Sequence, residues 1–67
     1  MSEPLTAHLI REGAGWEARV LRGRELIFMR RGFDSREEAM LWLAEEVQRR
    51  SVAVRIERDD SRAEAGS

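Results

Sequence analysis

The segment RRGFDSREEAMLWLAEEVQRR, residues 30–50, constrains the fold most because it carries helix signals at both of its ends. Asp34 or Ser35 is the predicted N-cap, since each is followed three residues later by a glutamate, which is the capping-box spacing. The same glutamates favour the positive end of the helix dipole, whereas Arg49 and Arg50 suit its C-terminal end. The chain therefore contains one amphipathic helix, and the remaining segments must provide what it packs against.

Four other segments alternate or run apolar in the manner of β-strands. They are Leu5–Arg11, Trp16–Leu21 and Leu26–Arg30 before the helix, and Ser51–Glu57 after it. The connections Glu12–Gly15 and Arg22–Glu25 contain glycine and are predicted turns. The predicted fold is α+β, an antiparallel sheet of three or four strands with one helix on one face, in the order βββαβ.

Residues 1–58 are predicted to form a single domain, and residues 59–67 a disordered acidic tail, because this last stretch has almost no large apolar side chain. A domain of this size buries only ~60% of its unfolded surface, so oligomerisation or binding is a common source of extra stability. The chain has no cysteine, which leaves neither a disulfide framework nor a thiolate metal site to supply it.

Charge is high but balanced, with 12 Lys and Arg residues, all of them arginine, against 13 acidic residues. We interpret the absence of lysine mainly as a GC-rich coding bias, with an arginine-based interface as the alternative. A formal net charge of −1 is unlike the basic domain of a general nucleic-acid binder. The longest apolar run, AMLWLA, is too short to span a membrane, and the N-terminus lacks a signal-peptide pattern. We therefore expect a cytoplasmic protein without membrane contact.

Symmetric pairing across the two turns sorts the strand side chains into two faces. The first hairpin places Leu9 opposite Ala18, and the second places Val20 opposite Ile27. The predicted core face is uniformly apolar and consists of Leu5, Ala7, Leu9, Trp16, Ala18, Val20, Ile27 and Met29. The predicted opposite face is mixed and consists of His8, Ile10, Glu17, Arg19, Leu21, Leu26, Phe28 and Arg30.

The helix has one apolar arc that is predicted to cover the core face. This arc comprises Ala39, Met40, Leu43, Ala44 and Val47. Trp42 falls beside the arc, and Leu41 falls near the opposite margin. Trp42 has two interpretations: it folds over the edge of a thin core, or it projects toward a partner.

No catalytic, cofactor-binding or metal-binding residue is predicted, so we expect no enzymatic activity and no cofactor. The single histidine, His8, lies in a strand and lacks a nucleophile and an orienting group. Adjacent glutamates such as Glu37 and Glu38 point apart on a helix and do not form a catalytic pair. The motif Gly13-Ala14-Gly15 is followed by a strand rather than a helix, which indicates a hairpin turn and not a phosphate loop.

The mixed sheet face carries the functional expectation, because four large apolar side chains lie there without a second helix to cover them. They are Ile10, Leu21, Leu26 and Phe28. Such patches usually mark interfaces, so we expect either a homodimer that stacks or extends its sheets or a different protein partner. A basic cluster of Arg22, Arg24, Arg30 and Arg31 adds contact with phosphate or with an acidic protein surface as an alternative. Leu41 and Trp42 complete the candidate partner-binding residues.

Two family resemblances follow from these motifs. The three-stranded meander before an FDSxEEA helix start is similar to the small βββα domains of HicB-type antitoxins. The strand segment ARV, a turn and then FDSREEAMLW, within Ala18–Trp42, resembles the strand-to-helix passage of small phage-encoded anti-CRISPR proteins of the type I class. In that passage F-D-S, a glutamate and a tryptophan recur at the same intervals. The second resemblance implies a non-enzymatic inhibitor that sits on a CRISPR surveillance complex and blocks DNA binding.

Two functions are thus expected. The first is a small protein-binding module, of the phage-inhibitor type, that acts by steric occlusion of a host complex. The alternative is a nucleic-acid-binding or antitoxin-like regulatory domain, or a homodimeric bacterial protein. The near-zero net charge favours the first.

Overall fold

The computed structural model describes residues 4–60, and the structural statements below concern that part of the chain. Its elements are β1 (Leu5–Glu12), β2 (Gly15–Arg22), β3 (Glu25–Phe33), α1 (Arg36–Arg50) and β4 (Val54–Asp59). The strands form one sheet in the order β3-β2-β1-β4. Neighbouring strands are antiparallel except that β4, which follows the helix, runs parallel to β1. The predicted α+β fold is confirmed, and the sheet is mostly antiparallel.

The first hairpin has the predicted register, with Leu9 opposite Ala18. Both hairpins close through two-residue loops whose first residue, Gly13 or Gly23, has a positive φ of 61° or 62°. A positive φ at the first loop position is the type II′ pattern, which matches the twist of the flanking strands. Glycine at these two positions therefore fixes where each hairpin turns.

The predicted register of the second hairpin is wrong beyond its first two pairs. Leu21 faces Leu26 as expected, but Val20 then faces Phe28, because Ile27 is an extra residue in a β-bulge. One inserted residue turns the side chains that follow it to the opposite face. Phe28 consequently packs against the core, whereas Met29 lies on the other face and is 37% exposed.

β3 also continues past its predicted end at Arg30. A second bulge at Gly32 lets the strand run on to Phe33, which pairs with Trp16 and is buried. Arg30, predicted on the mixed face, lies on the helix side, and its guanidinium stands 5.7 Å from the centroid of the Phe33 ring. A glycine after two arginines is typical of a loop, but Gly32 lies within β3 as the extra residue of the bulge.

Ser35 is the N-cap of α1. Its hydroxyl accepts a hydrogen bond from the amide of Glu38 at 3.2 Å, and the Glu38 carboxylate accepts one from the amide of Asp34 at 2.8 Å. The helix ends where Ser51 adopts a left-handed conformation with φ 54°. Its amide donates to the carbonyl of Gln48, which satisfies one of the free carbonyls of the last turn.

We expect Ser35→Ala to lower the free energy of unfolding by about 1 kcal/mol, because the amide of Glu38 loses its acceptor. Asp34→Ala is the matched control, since Asp34 contributes its backbone amide rather than its carboxylate to the helix start. Urea unfolding followed by circular dichroism measures both variants. A larger loss of unfolding free energy for Asp34→Ala than for Ser35→Ala would mean that Asp34, and not Ser35, is the N-cap.

The core lies between the sheet and α1 and consists of two clusters of buried side chains. The first comprises Leu5, Ala7, Val20 and Leu43, and the second comprises Leu9, Ala18, Phe33 and Ala39. The predicted core residues of β1 and β2 are confirmed, with Trp16 half-buried against the second cluster. The predicted helix arc is wrong at Ala44, which is exposed, whereas Glu46 is buried and pairs with Arg49 and Arg50.

Trp42 packs against both clusters and is therefore a core residue. Its ring lies edge-on to Phe28, with centroids 5.8 Å apart, and tilted against Phe33, with centroids 5.7 Å apart. Such aromatic pairs add to the stability gained from burial alone. The first of the two interpretations of Trp42, that it closes the edge of a thin core, is confirmed.

The end of β4 is held by an ion pair and by a hydrogen bond. Asp59, just past the predicted domain boundary, pairs with Arg36 at 2.7 Å, and its side chain is only 9% exposed. Asp60 accepts a hydrogen bond from the amide of Arg11 at 2.8 Å, and this bond lowers the pKa of the Asp60 carboxyl. The last strand is thus joined to the start of α1 and to β1. The rest of the predicted tail, residues 61–67, lies outside the described residues.

Candidate functional site

No described element covers the sheet face turned away from α1, which we call the open face. The strand pairing places its side chains in three rows across β1, β2 and β3. The rows are Thr6–Leu21–Leu26, His8–Arg19–Met29 and Ile10–Glu17–Arg31. On β4, Arg55 extends the first row, and Glu57 and Arg58 extend the second.

The apolar strip of the open face consists of Leu21, Leu26 and Met29. Leu21 and Leu26 are paired across strands, and Met29 lies in the next row along β3. Leu26 is 48% exposed, Met29 is 37% exposed, and Leu21 is half-buried. Ile10, also half-buried, lies on the same face but is separated from the strip by Glu17 and Arg19. Three of the four predicted apolar residues therefore lie here, and Met29 replaces Phe28 as the fourth.

Arginine dominates the charge of the open face. Arg19 pairs with Glu17, whose side chain is buried at 2% exposure, so this acid is already neutralised within the chain. Arg31 and Arg55 are exposed and form no side-chain hydrogen bond or ion pair in the described part of the chain. The face thus combines an exposed apolar strip with two cations that pair with no other described residue.

His8 lies on the open face beside Glu57, with its Nε2 3.6 Å from a carboxylate oxygen. This contact is an ion pair only when the imidazole is protonated. Within residues 4–60 no group of three or more His, Asp or Glu side chains is arranged to hold a metal ion. Nor does this part of the chain contain a helix long and apolar enough to cross a membrane.

The structure separates the predicted arginine cluster. Arg24 lies in the loop of the second hairpin and Arg22 at its base, Arg30 lies on the helix side, and Arg31 lies on the open face. The bulge and the strand alternation cause this division, because neighbouring residues of a strand point to opposite faces. The four guanidinium groups therefore do not form one phosphate-binding patch.

Three other predicted residues meet on the helix side. Arg30, Leu41 and Trp42 line a groove of about 470 Å³ between the end of β3 and α1. Arg31 also lines this groove from β3, and Glu38 and Glu45 line it from α1, so the groove carries charges of both signs. Phe28 does not reach this surface, since it is packed beneath Trp42 and under the guanidinium of Arg50, 4.0 Å from the ring centroid.

The outward side of α1 forms a second exposed surface, which we call the acidic crest. It consists of Glu37, Leu41, Ala44, Glu45 and Gln48, which fall on one side of the helix. Leu41 is 66% exposed and is the most exposed of the large apolar side chains in the described residues. Glu37 and Glu45 form no ion pair with another described residue. A shallow groove of about 520 Å³ runs beside Leu41 and is bordered by Arg36 and Met40.

Sequence reasoning missed Met29, Arg31 and Arg55 as members of one face. The run LIFM gives no alternation from which a bulge could be located, although two consecutive inward residues, Ile27 and Phe28, are what a bulge produces. Arg55 could be placed only once the parallel pairing of β4 with β1 was known, because that pairing puts it beside Thr6.

The open face and the acidic crest are thus the exposed surfaces on which apolar and unpaired charged side chains occur together. They are defined by this chain's own residues. Comparisons with protein-family models, with curated proteins and with solved structures found no match.

Proposed function

We propose that this chain is a small non-enzymatic protein-binding module whose open face receives a protein partner and sterically blocks the surface it covers. The observation that supports this is the uncovered strip of Leu21, Leu26 and Met29 beside the unpaired cations of Arg31 and Arg55. Exposed apolar patches of this kind usually mark interfaces, and Met and Arg are enriched in them.

The finer proposal is that the partner is a bacterial CRISPR surveillance complex of type I, as the resemblance of the Ala18–Trp42 segment implies. The residues that carry this resemblance have structural roles here. Ser35 caps the helix, and Phe33 and Trp42 pack in the core. The contacts would therefore come from other residues of the same segment, namely the open-face side chains of Leu21, Leu26, Met29 and Arg31.

The open face supports a nucleic-acid partner less well. Its apolar strip contains no aromatic side chain, and the one aromatic ring among the described residues of this face, the imidazole of His8, is half-buried beside Glu57. Two unpaired arginines alone give few phosphate contacts. The experiment below therefore includes duplex DNA, to which we expect no binding.

The test compares Leu26→Glu and Met29→Glu with the wild type for binding to a purified type I surveillance complex. A central interface residue typically contributes about 2 kcal/mol or more, so each change should raise Kd by at least about tenfold. Ile56→Glu is the matched control, because Ile56 is comparably exposed, at 39%, but lies on the helix side of β4. Duplex DNA should bind no variant at physiological salt.

Two results would contradict the proposal in different ways. Equal binding by the wild type and both open-face variants would place the interface elsewhere on the molecule. No binding to the complex, together with tight binding to DNA that Arg31→Ala abolishes, would instead support the regulatory alternative.

A further inference from the structure

We infer that the open face binds the acidic crest of a second copy of this chain, so that copies associate head to tail. This inference rests on the proposed function, in which the open face is a protein-binding surface, and it names one partner for it.

The two surfaces are complementary in charge. The open face carries the unpaired cations of Arg31 and Arg55, whereas the crest carries the unpaired carboxylates of Glu37 and Glu45. Neither set forms an ion pair with another described residue of its own chain, and Glu37 interacts electrostatically with its neighbour Arg36. Opposite charges at the rim of an interface orient the partners and suppress wrong pairings.

The two surfaces also match in their apolar content. The crest presents one large side chain, Leu41, which projects from the helix at 66% exposure. The open face presents a low strip formed by Leu26 and Met29, flanked rather than covered by charged groups. A helix lying across this strip would remove the exposed apolar surface of both partners from water, which is the main favourable contribution to association.

The competing arrangement, in which two open faces stack on each other, is disfavoured by the same charges. A twofold stack would bring the arginine-rich faces of both copies together, with few accessible acids between them. Like charges opposed across an interface destabilise it. The charges of this face therefore favour an acidic helix over a second sheet.

The symmetry follows from the position of the two surfaces. The crest and the open face lie on opposite sides of the same sheet, so a closed twofold dimer cannot use both surfaces of both copies. A heterologous contact of this kind propagates into a chain or closes into a ring. The wild type should therefore form species larger than dimers as its concentration rises.

Two single substitutions test this arrangement in the purified full chain. Leu26→Glu places a carboxylate in the apolar strip and leaves the crest unchanged, whereas Leu41→Arg places a cation between Glu37 and Glu45 on the crest and leaves the open face unchanged. In sedimentation velocity each variant alone should remain monomeric at concentrations where the wild type associates. An equimolar mixture of the two should form a dimer and nothing larger. The intact open face of Leu41→Arg can bind the intact crest of Leu26→Glu, and the resulting dimer has no further intact surface with which to grow. Ile56→Glu should associate like the wild type.

Several outcomes would overturn the inference. A wild type that stays monomeric up to millimolar concentration would do so, and so would dimers of Leu41→Arg alone, which would indicate stacking of open faces. A mixture that remains monomeric would also contradict it, provided that circular dichroism shows both variants folded. The failure of the proposed function can be distinguished from the failure of this inference. Self-association without binding to a foreign protein would contradict only the proposed function. Binding to a foreign protein without self-association would contradict only this inference.

Discussion

Phe28→Arg is expected to unfold the domain, whereas Met29→Arg is expected to leave it folded. Phe28 packs against the core and against Trp42, and the guanidinium of Arg50 already lies 4.0 Å from its ring centroid. The substitution removes a core aromatic group, which costs about 3 kcal/mol or more, and adds a second cation beside Arg50. At roughly 0.05–0.15 kcal/mol per residue, a small domain of this length has a total stability of about 3–10 kcal/mol, so a loss of this size removes at least about a third of it and, at the lower end, nearly all.

Met29 is the matched control, since it is the next residue but lies on the open face at 37% exposure. Far-ultraviolet circular dichroism and urea titration distinguish the two variants. If Met29→Arg unfolded the chain and Phe28→Arg did not, the bulge at Ile27 would be absent and the simple hairpin register would hold.

Trp42→Ala is expected to lower the free energy of unfolding by about 3 kcal/mol, because the indole packs against both core clusters and against two aromatic rings. Its neighbour Leu41, 66% exposed, is the control, and Leu41→Ala should change the free energy by less than about 0.5 kcal/mol. The urea midpoints of the two variants measure the difference. Similar midpoints would mean that Trp42 serves a partner rather than the core.

Local signals in the sequence were sufficient for much of the fold. Gly13 and Gly23 identify two turns, period-two alternation identifies β1 and β2, and the capping-box spacing shared by Asp34 and Ser35 identifies the helix start to within one residue. Each of these features depends on the conformations and hydrogen bonds of residues that are close together in the chain, so a short sequence pattern is enough to predict it. The register of the first hairpin followed from its turn alone.

The sequence could not predict features that depend on contacts between distant residues. The bulge at Ile27 places both Ile27 and Phe28 on the helix side, where they meet the core, and the apolar run LIFM fits either register equally well. Glu46 is buried because Arg49 and Arg50 pair with it, which a hydrophobicity pattern cannot show. The predicted surface was correct for Ile10, Leu21 and Leu26, whose positions precede the bulge.

The parallel pairing of β1 with β4 bears on how the domain assembles. β1 has β2, its immediate successor, on one side, and β4 on the other, with Leu5 opposite Val54. Closing so long a loop is entropically slow compared with forming a hairpin, so β4 is expected to join after the folding transition state. Until it does, β1 is an unprotected edge carrying the side chains of Leu5, Ala7 and Leu9, and edges of this kind template aggregation. Pairing with β4 is therefore expected to shield this edge as well as completing the native sheet, and a chain truncated before Val54 is expected to present that edge permanently.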